Sequence, residues 1–207
     1  MATVAIVDYG MGNLRSVAGA VEKVGHEAVV ARDAAVLADA DCLILPGVGA
    51  FPDAMRNLRH YGLDEVLERD VRGRGKPLLG ICLGAQLVTR SSEEFGLHDG
   101  LGWVAARVRR IVPADDGLRV PHVGWNDLFR TRDSRLFAGI PDDALFYYVH
   151  SYCIASEDEA SVVGECDYGG RFVAALAHEN VWATQFHPEK SQRHGLAVLA
   201  NFIERCH

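Results

Sequence analysis

Residues 77–84 read PLLGICLG. An apolar run that stops at a cysteine, with glycine two positions before it and two after, admits few local structures. Pro77–Ile81 has the length and composition of a buried strand, and the periodicity from Leu83 to Arg90 predicts a helix. Passing from strand to helix through a single residue strains Cys82 and crowds the turns beside it. Glycines at 80 and 84 relieve that crowding because they carry no Cβ. A strand, sharp turn and helix in this order belong to an α/β sheet, where chemistry gathers at the carboxyl ends of parallel strands.

The rest of the chain fits such a sheet. Thr3–Asp8 reads as a strand, YGMGN turns into a helix near Leu14–Val24, Ala28–Ala31 is a second strand, and Asp41–Leu45 is a third, closed by PGVGAFPD. Helical material follows from Ala54 to Arg72, broken at Tyr61–Gly62. From Gly100 onward the texture changes. Strand-like pieces at Ala106–Val112, Leu145–Ile154, Ser161–Asp167 and Arg171–His178 alternate with turn signals such as ADDG and DYGG. They read as antiparallel or mixed additions to a largely parallel sheet. Val181–Phe186 returns to the core pattern, and a helix from about Gly195 to Cys206 closes the chain. No repeat, low-complexity tract or linker divides the 207 residues, so one domain over 1–207 is expected.

Composition narrows the partners. A formal charge of −7, with the acidic residues dispersed, argues against nucleic acid, which needs a basic stripe. No run approaches the roughly 18 apolar residues of a membrane span, and MATVAIVDYG lacks the basic start of a signal peptide. Five cysteines without a CxxC pair suit neither a disulfide framework nor a zinc site. The expectation is a cytoplasmic protein with no metal and no cofactor.

The spacing around Cys82 is that of a nucleophile elbow, the turn that lifts a reactive side chain out of the sheet. It sets the sulfur at a helix N-terminus, where partial positive charge favours a thiolate. The Leu83 amide then faces any oxyanion formed on a carbonyl that Cys82 attacks. The alternative is a buried structural cysteine between packing glycines. Cys42, inside DCLIL, reads as core, and Cys153, Cys166 and Cys206 have no such neighbours.

A nucleophilic cysteine needs a base, and the base an orienting group. Of nine histidines, His187 stands out, because the strand Val181–Phe186 delivers it to a carboxyl edge. In an extended His187–Pro188–Glu189, residues two apart project the same way, so the carboxylate approaches the imidazole. Pro188 is expected to hold the segment out of helix. By itself HPE could equally be a strand exit. Gly10 and Gly12 do not make a dinucleotide loop, since Arg15 stands where the third glycine belongs.

GICLGAQ and TQFHPEKS together resemble the class I (triad) glutamine amidotransferases, with an elbow of the form GxCxGxQ and base and orienter in HPE. VDYGMGNLRSV, LPGVGAF, PHVGWN and YYVHSY narrow the resemblance to the branch that serves imidazole glycerol phosphate synthases, and it runs the full chain in order. Ala85 departs from the methionine common after CLG. The resemblance implies a flavodoxin-like α/β fold and a catalytic triad of Cys82, His187 and Glu189. It implies an oxyanion hole from the amides of Leu83 and Val48, the latter after a peptide flip. Gly47, Gly49, Gln86, Ser151 and Tyr152 would lie along bound glutamine. Asn13, Trp125, Asn126, Tyr147 and Lys190 would face a (β/α)₈ cyclase subunit that takes up the ammonia, although Trp125 also reads as a half-buried aromatic and Lys190 as solvated charge. No acceptor site is visible in the chain itself, so little turnover is expected without that partner. Rival readings are a glutaminase subunit of another synthesis, such as that of pyridoxal phosphate, a cysteine hydrolase on the same scaffold, and a non-catalytic scaffold protein.

Overall fold

The computed structural model describes residues 1–115 and 117–205, the side chain of Arg205 apart. Its strands are β1 (Thr3–Val7), β2 (Glu27–Ala31), β3 (Cys42–Leu45), β4 (Leu78–Ile81), β5 (Thr89–Ser92), β6 (His98–Asp99) and β7 (Val104–Arg110). They continue as β8 (His122–Asp127), β9 (Phe129–Arg130), β10 (Leu145–His150), β11 (Tyr152–Ser156), β12 (Val162–Asp167), β13 (Arg171–His178) and β14 (Val181–Thr184). The helices are α1 (Leu14–Lys23), α2 (Ala34–Asp39), α3 (Phe51–His60), α4 (Leu63–Leu67), α5 (Leu83–Leu87) and α6 (Gln192–Arg205), and a π-helical turn over Glu68–Gly73 continues α4.

Strands β2, β1, β3, β4 and β14 run parallel in that order, and β13, β11, β7, β5 and β6 extend the same sheet in mixed senses. Beside it, β8 and β10 form a separate antiparallel pair. The central strands β1, β3 and β4 read as nearly unbroken apolar runs because both faces are covered. Alternate residues divide cleanly between two cores: Val4, Ile6, Ile44, Leu79 and Ile81 pack toward α1 and α6, and Ala5, Val7, Leu43, Leu45 and Leu78 toward α3 and α4. Among the described residues, no helix is long and apolar enough to cross a membrane.

Four expectations need correction. The helix expected over Leu83–Arg90 stops at Leu87, and Thr89 begins β5. There the amides of Leu101, Trp103 and Gly102 claim the carbonyls of Leu87, Val88 and Thr89, so the chain pairs with the sheet instead of completing another helical turn. The strand expected over Leu145–Ile154 is two strands in two sheets, parted at Ser151, whose carbonyl accepts the Ile111 amide at 2.9 Å. Apolar alternation carries through such a change of partner, so the break leaves no mark in the pattern. The helix placed from Ala54 begins at Phe51, with Pro52 in its first turn. The closing helix begins at Gln192 instead of Gly195, while Cys206 lies outside the described residues. Helix α2, missed in the sequence, is capped by the Asp33 carboxylate, which accepts the amides of Ala35 and Val36.

The cysteine turn is held by backbone contact. A Cβ on Gly84 would stand 1.8 Å from the Leu45 carbonyl oxygen, and one on Gly80 would stand 2.8 Å from the Gly84 carbonyl. Neither obstacle is a side chain that can rotate away. Gly84→Ala should therefore cost about 3 kcal/mol of stability, the upper part of the range for overpacking, because the obstacle is fixed backbone. Urea denaturation of the variant checks this, and an unchanged midpoint would refute it.

Candidate active site

Three neighbouring parallel strands deliver the three segments singled out in the sequence. β4 pairs with β3 on one side, Gly80 opposite Leu45, and with β14 on the other, Ile81 opposite Thr184. The PGVG loop, Cys82 and the TQFHPE segment therefore leave the sheet side by side. The Cys82 amide donates to the Thr184 carbonyl at 2.7 Å, extending the pairing one residue past the strand. Cys82 then turns with φ 53° and ψ −107°, on the side of conformational space that non-glycine residues avoid. Such strain persists only where the surroundings impose it.

Cys82 is 6 % exposed and borders a cavity of about 400 Å³. Val48 and Leu83, expected at an oxyanion hole, and Gly49, Gln86, Ser151 and Tyr152, expected along bound glutamine, border it as well. Gly47 lies beneath this wall, packed against the Tyr9 hydroxyl and Leu83. Tyr9 is buried, and its hydroxyl donates to the Pro46 carbonyl at 2.7 Å, which anchors the base of the PGVG loop.

His187 and Glu189 have side chains only 2 % and 1 % exposed, and Nδ1 of the imidazole donates to Oε1 of the carboxylate at 2.8 Å. They do not meet in an extended segment. Pro188–Lys190 is a 3₁₀ turn, closed by the Lys190 amide on the His187 carbonyl. Pro188 starts this turn instead of preventing it, because its fixed φ suits a first helical position and its missing N–H is not needed there. Ser191 braces the turn: its hydroxyl donates to the His187 carbonyl at 2.6 Å and accepts the Tyr147 amide at 3.0 Å.

Nε2 of His187 is buried and has no hydrogen-bond partner of good geometry, so the ring is held from the Glu189 side and left open toward the sulfur. Burial opposes protonation of this imidazole, but the Cys82 sulfur, followed by Glu189, outweighs it and pushes His187 up to about 9. Sulfur, imidazole and carboxylate form one coupled group beside the cavity.

The positions expected at a partner face divide. Trp125 is 45 % exposed on the outer face of the β8–β10 pair, next to Tyr147, with ring centroids 6.0 Å apart. Asn13 is exposed ahead of α1. Lys190 borders the cavity, with its ammonium 5.8 Å from the Tyr147 ring, so it lies between site and surface. Asn126 turns inward, donating to the Asp167 carbonyl at 3.0 Å and lying 3.3 Å from Nε2 of His122. Strand alternation sends it to the face opposite Trp125, which reading the segment as a block had overlooked.

Sequence reasoning missed three polar side chains at or beside the cavity. Gln185 is buried, with Nε2 3.7 Å from the Cys82 sulfur; its place two residues before His187 was the available signal. Glu94 borders the cavity and caps α3 by accepting the Phe51 amide at 2.8 Å. His150 forms part of the wall. Only the fold brings Glu94 and His150 there. Among the described residues, no group of three or more His, Cys, Asp or Glu side chains could hold a metal ion.

The glutamine amidotransferase class-I family profile matches residues 5–206. Imidazole glycerol phosphate synthase subunit HisH 2 of Nitrobacter winogradskyi is 48% identical over 209 residues, covering 99% of each chain. Subunit HisH of Syntrophotalea carbinolica is 50% identical over 204 residues, covering 96% of this chain and 98% of its own. Among solved structures, PurLQS from Thermotoga maritima matches with a TM-score of 0.75 at 19% identity, over 98% of both chains. A glutamine amidotransferase crystal structure matches at 0.71 and 23% identity, over 95% of this chain and 98% of the other. Identities this low speak to the fold alone. The family profile and the relatives near half identity span almost every residue, and this chain belongs to the class-I glutamine amidotransferase family.

Proposed function

We propose that this chain is the glutaminase subunit of an imidazole glycerol phosphate synthase, hydrolysing glutamine to glutamate and ammonia for a (β/α)₈ cyclase subunit in the cytoplasm. The observation that carries the reading is the coupling of Cys82 to the buried His187–Glu189 pair beside a cavity large enough for an amino acid. Near-full-length relatives named as subunits of that synthase support the narrower assignment.

The Cys82 thiolate attacks the side-chain amide carbon of glutamine. The resulting oxyanion takes hydrogen bonds from the Leu83 amide and, once its peptide is turned, from that of Val48. His187 as imidazolium gives its proton to the departing nitrogen, and ammonia leaves. Water, deprotonated by the now neutral His187, attacks the thioester and releases glutamate and the thiolate. Glu189 keeps the Nδ1–H tautomer, so Nε2 is the nitrogen that exchanges protons. Glu94 offers a carboxylate for the substrate's α-ammonium, and Ser151 and Tyr152 line the same cavity. One oxyanion donor is worth about 3–4 kcal/mol, so a misoriented Val48 amide suffices to keep the resting enzyme slow.

Ammonia released into bulk water is protonated and loses its nucleophilicity, so the acceptor subunit must seal the exit. The outer face of β8–β10 suits such docking: Val123, Trp125 and Leu145 are each more than 40 % exposed there. An aromatic anchor of this kind commonly carries a large share of interface energy.

Four outcomes test the proposal. Glutaminase activity should be low for the chain alone and rise when the cyclase and its nucleotide ligand are added. Cys82→Ala should abolish it, by at least about 10⁴-fold, and should also prevent labelling by diazo-oxonorleucine; full turnover by the isolated chain would contradict the assignment. Trp125→Ala should weaken cyclase binding by about 2 kcal/mol, read by calorimetry, with labelling of Cys82 unchanged. The fourth outcome concerns pH. His187 is raised from 6.5 to about 9 on folding, so its charge adds stability that is fully present below pH 6.5 and fades as pH rises through about 9. Cys82→Ala removes the strongest upward influence, and its urea midpoint should fall less than that of the wild type between pH 7 and 9.5.

A further inference from the structure

Three buried polar side chains at or behind the cavity wall, His122, His150 and Gln185, take no part in the mechanism above. Their hydrogen bonds can be assigned direction from groups that act in only one sense. Nδ1 of His150 is 2.8 Å from the Tyr152 carbonyl, which can only accept, so Nδ1 carries the hydrogen. Burial holds both rings neutral, pushing His122 down to about 4 and His150 down to about 3. Nε2 of His150 then has only a lone pair, and it accepts from Nδ1 of His122 at 3.2 Å. Nε2 of His122 in turn accepts from the Asn126 amide nitrogen, 3.3 Å away. That amide is fixed in its turn, because its oxygen accepts the Asp127 amide at 2.9 Å. Tyr168 and Tyr148 stack on the His122 ring, at centroid distances of 4.0 and 5.0 Å.

A second chain of hydrogen bonds meets the first at the Tyr152 carbonyl. Nε2 of Gln86 donates to it at 2.9 Å and to Oε1 of Gln185 at 3.0 Å. The Gln185 amide is thereby oriented with its nitrogen toward the Cys82 sulfur, at 3.7 Å. A reversed Gln185 would set an oxygen lone pair against the sulfur and two amide nitrogens against each other.

Resting on the glutaminase reading, we infer that His122 and His150 are positioning residues and Gln185 a catalytic residue, joined in a hydrogen-bond chain that anchors the Tyr152 carbonyl and aims the Gln185 amide at the reacting sulfur. A donor at 3.7 Å from the sulfur can spread the negative charge of the thiolate as it attacks. It acts again when the thiolate leaves as the thioester is hydrolysed. Neutral histidines are required, because a second proton on either ring would set donor against donor.

The test measures alkylation of Cys82 by iodoacetamide at pH 7 in the full chain, read from the mass of the peptide containing Cys82. It is paired with kcat and KM for glutamine in the complex with the cyclase, and circular dichroism checks the fold of each variant. Gln185→Met and His150→Leu should each slow alkylation about tenfold and lower kcat by a similar factor, with KM within about threefold of the wild type. His150→Asn places an amide nitrogen where Nδ1 stood and should recover both rates to within about threefold. Gln185→Met, or a folded His150→Leu, that reacts at the wild-type rate overturns the inference. So does His150→Asn if it is as slow as His150→Leu, or as slow as Gln185→Met should His150→Leu fail to fold. A wild-type complex that leaves glutamine intact overturns the functional reading instead, and the alkylation rates still decide the hydrogen-bond chain.

Discussion

The hydrogen bond from the Cys82 amide to the Thr184 carbonyl, 2.7 Å long, joins residues about a hundred positions apart at the carboxyl edge of the sheet. It continues the parallel pairing of β4 with β14, and everything chemical in the molecule depends on that register. A slip of one residue would turn the TQFHPE segment to the opposite face and separate imidazole from sulfur. Parallel pairing at this separation closes a long loop at an entropic cost, which the apolar cores on both faces of the sheet must offset. The most buried strands and the site are therefore the same piece of structure.

The strain at Cys82 follows from the same pairing. The sheet holds the residue up to its amide, α5 begins directly after it, and the Gly84 backbone lies against Leu45. Between these fixed points the chain turns through positive φ at Cys82. The sulfur is consequently placed by backbone contacts and needs no side chain to steer it. His187 is placed differently, through a 3₁₀ turn, a serine brace and a carboxylate, all within five residues. The sulfur is thus set by long-range packing and the imidazole by local turn chemistry.

Much of this was legible from residues alone. The glycine spacing gave the turn at Cys82, the apolar runs gave the parallel strands, and HPE gave the imidazole–carboxylate pair, although through a different local geometry than an extended segment. The split of Leu145–Ile154 at Ser151 and the early end of the helix after Leu83 were hidden. Both depend on which distant amides claim which carbonyls, and apolar alternation does not record that. Taking PHVGWN as a block places Asn126 outward with its neighbours, but the strand period sends it inward to His122.

By itself the sequence determined the local geometry: which cysteine stands in the strained strand-to-helix turn, which histidine carries a carboxylate two positions on, and which segments are strands buried on both faces. These follow from sterics and hydrophobic period acting over a few residues. Only the tertiary structure decided that β3, β4 and β14 end side by side, that Glu94 and His150 reach the cavity, and that Gln185 points at the sulfur. Those contacts span tens to a hundred residues of chain. Their geometry comes from strand register and from hydrogen-bond groups with a single possible direction, neither of which a linear pattern contains.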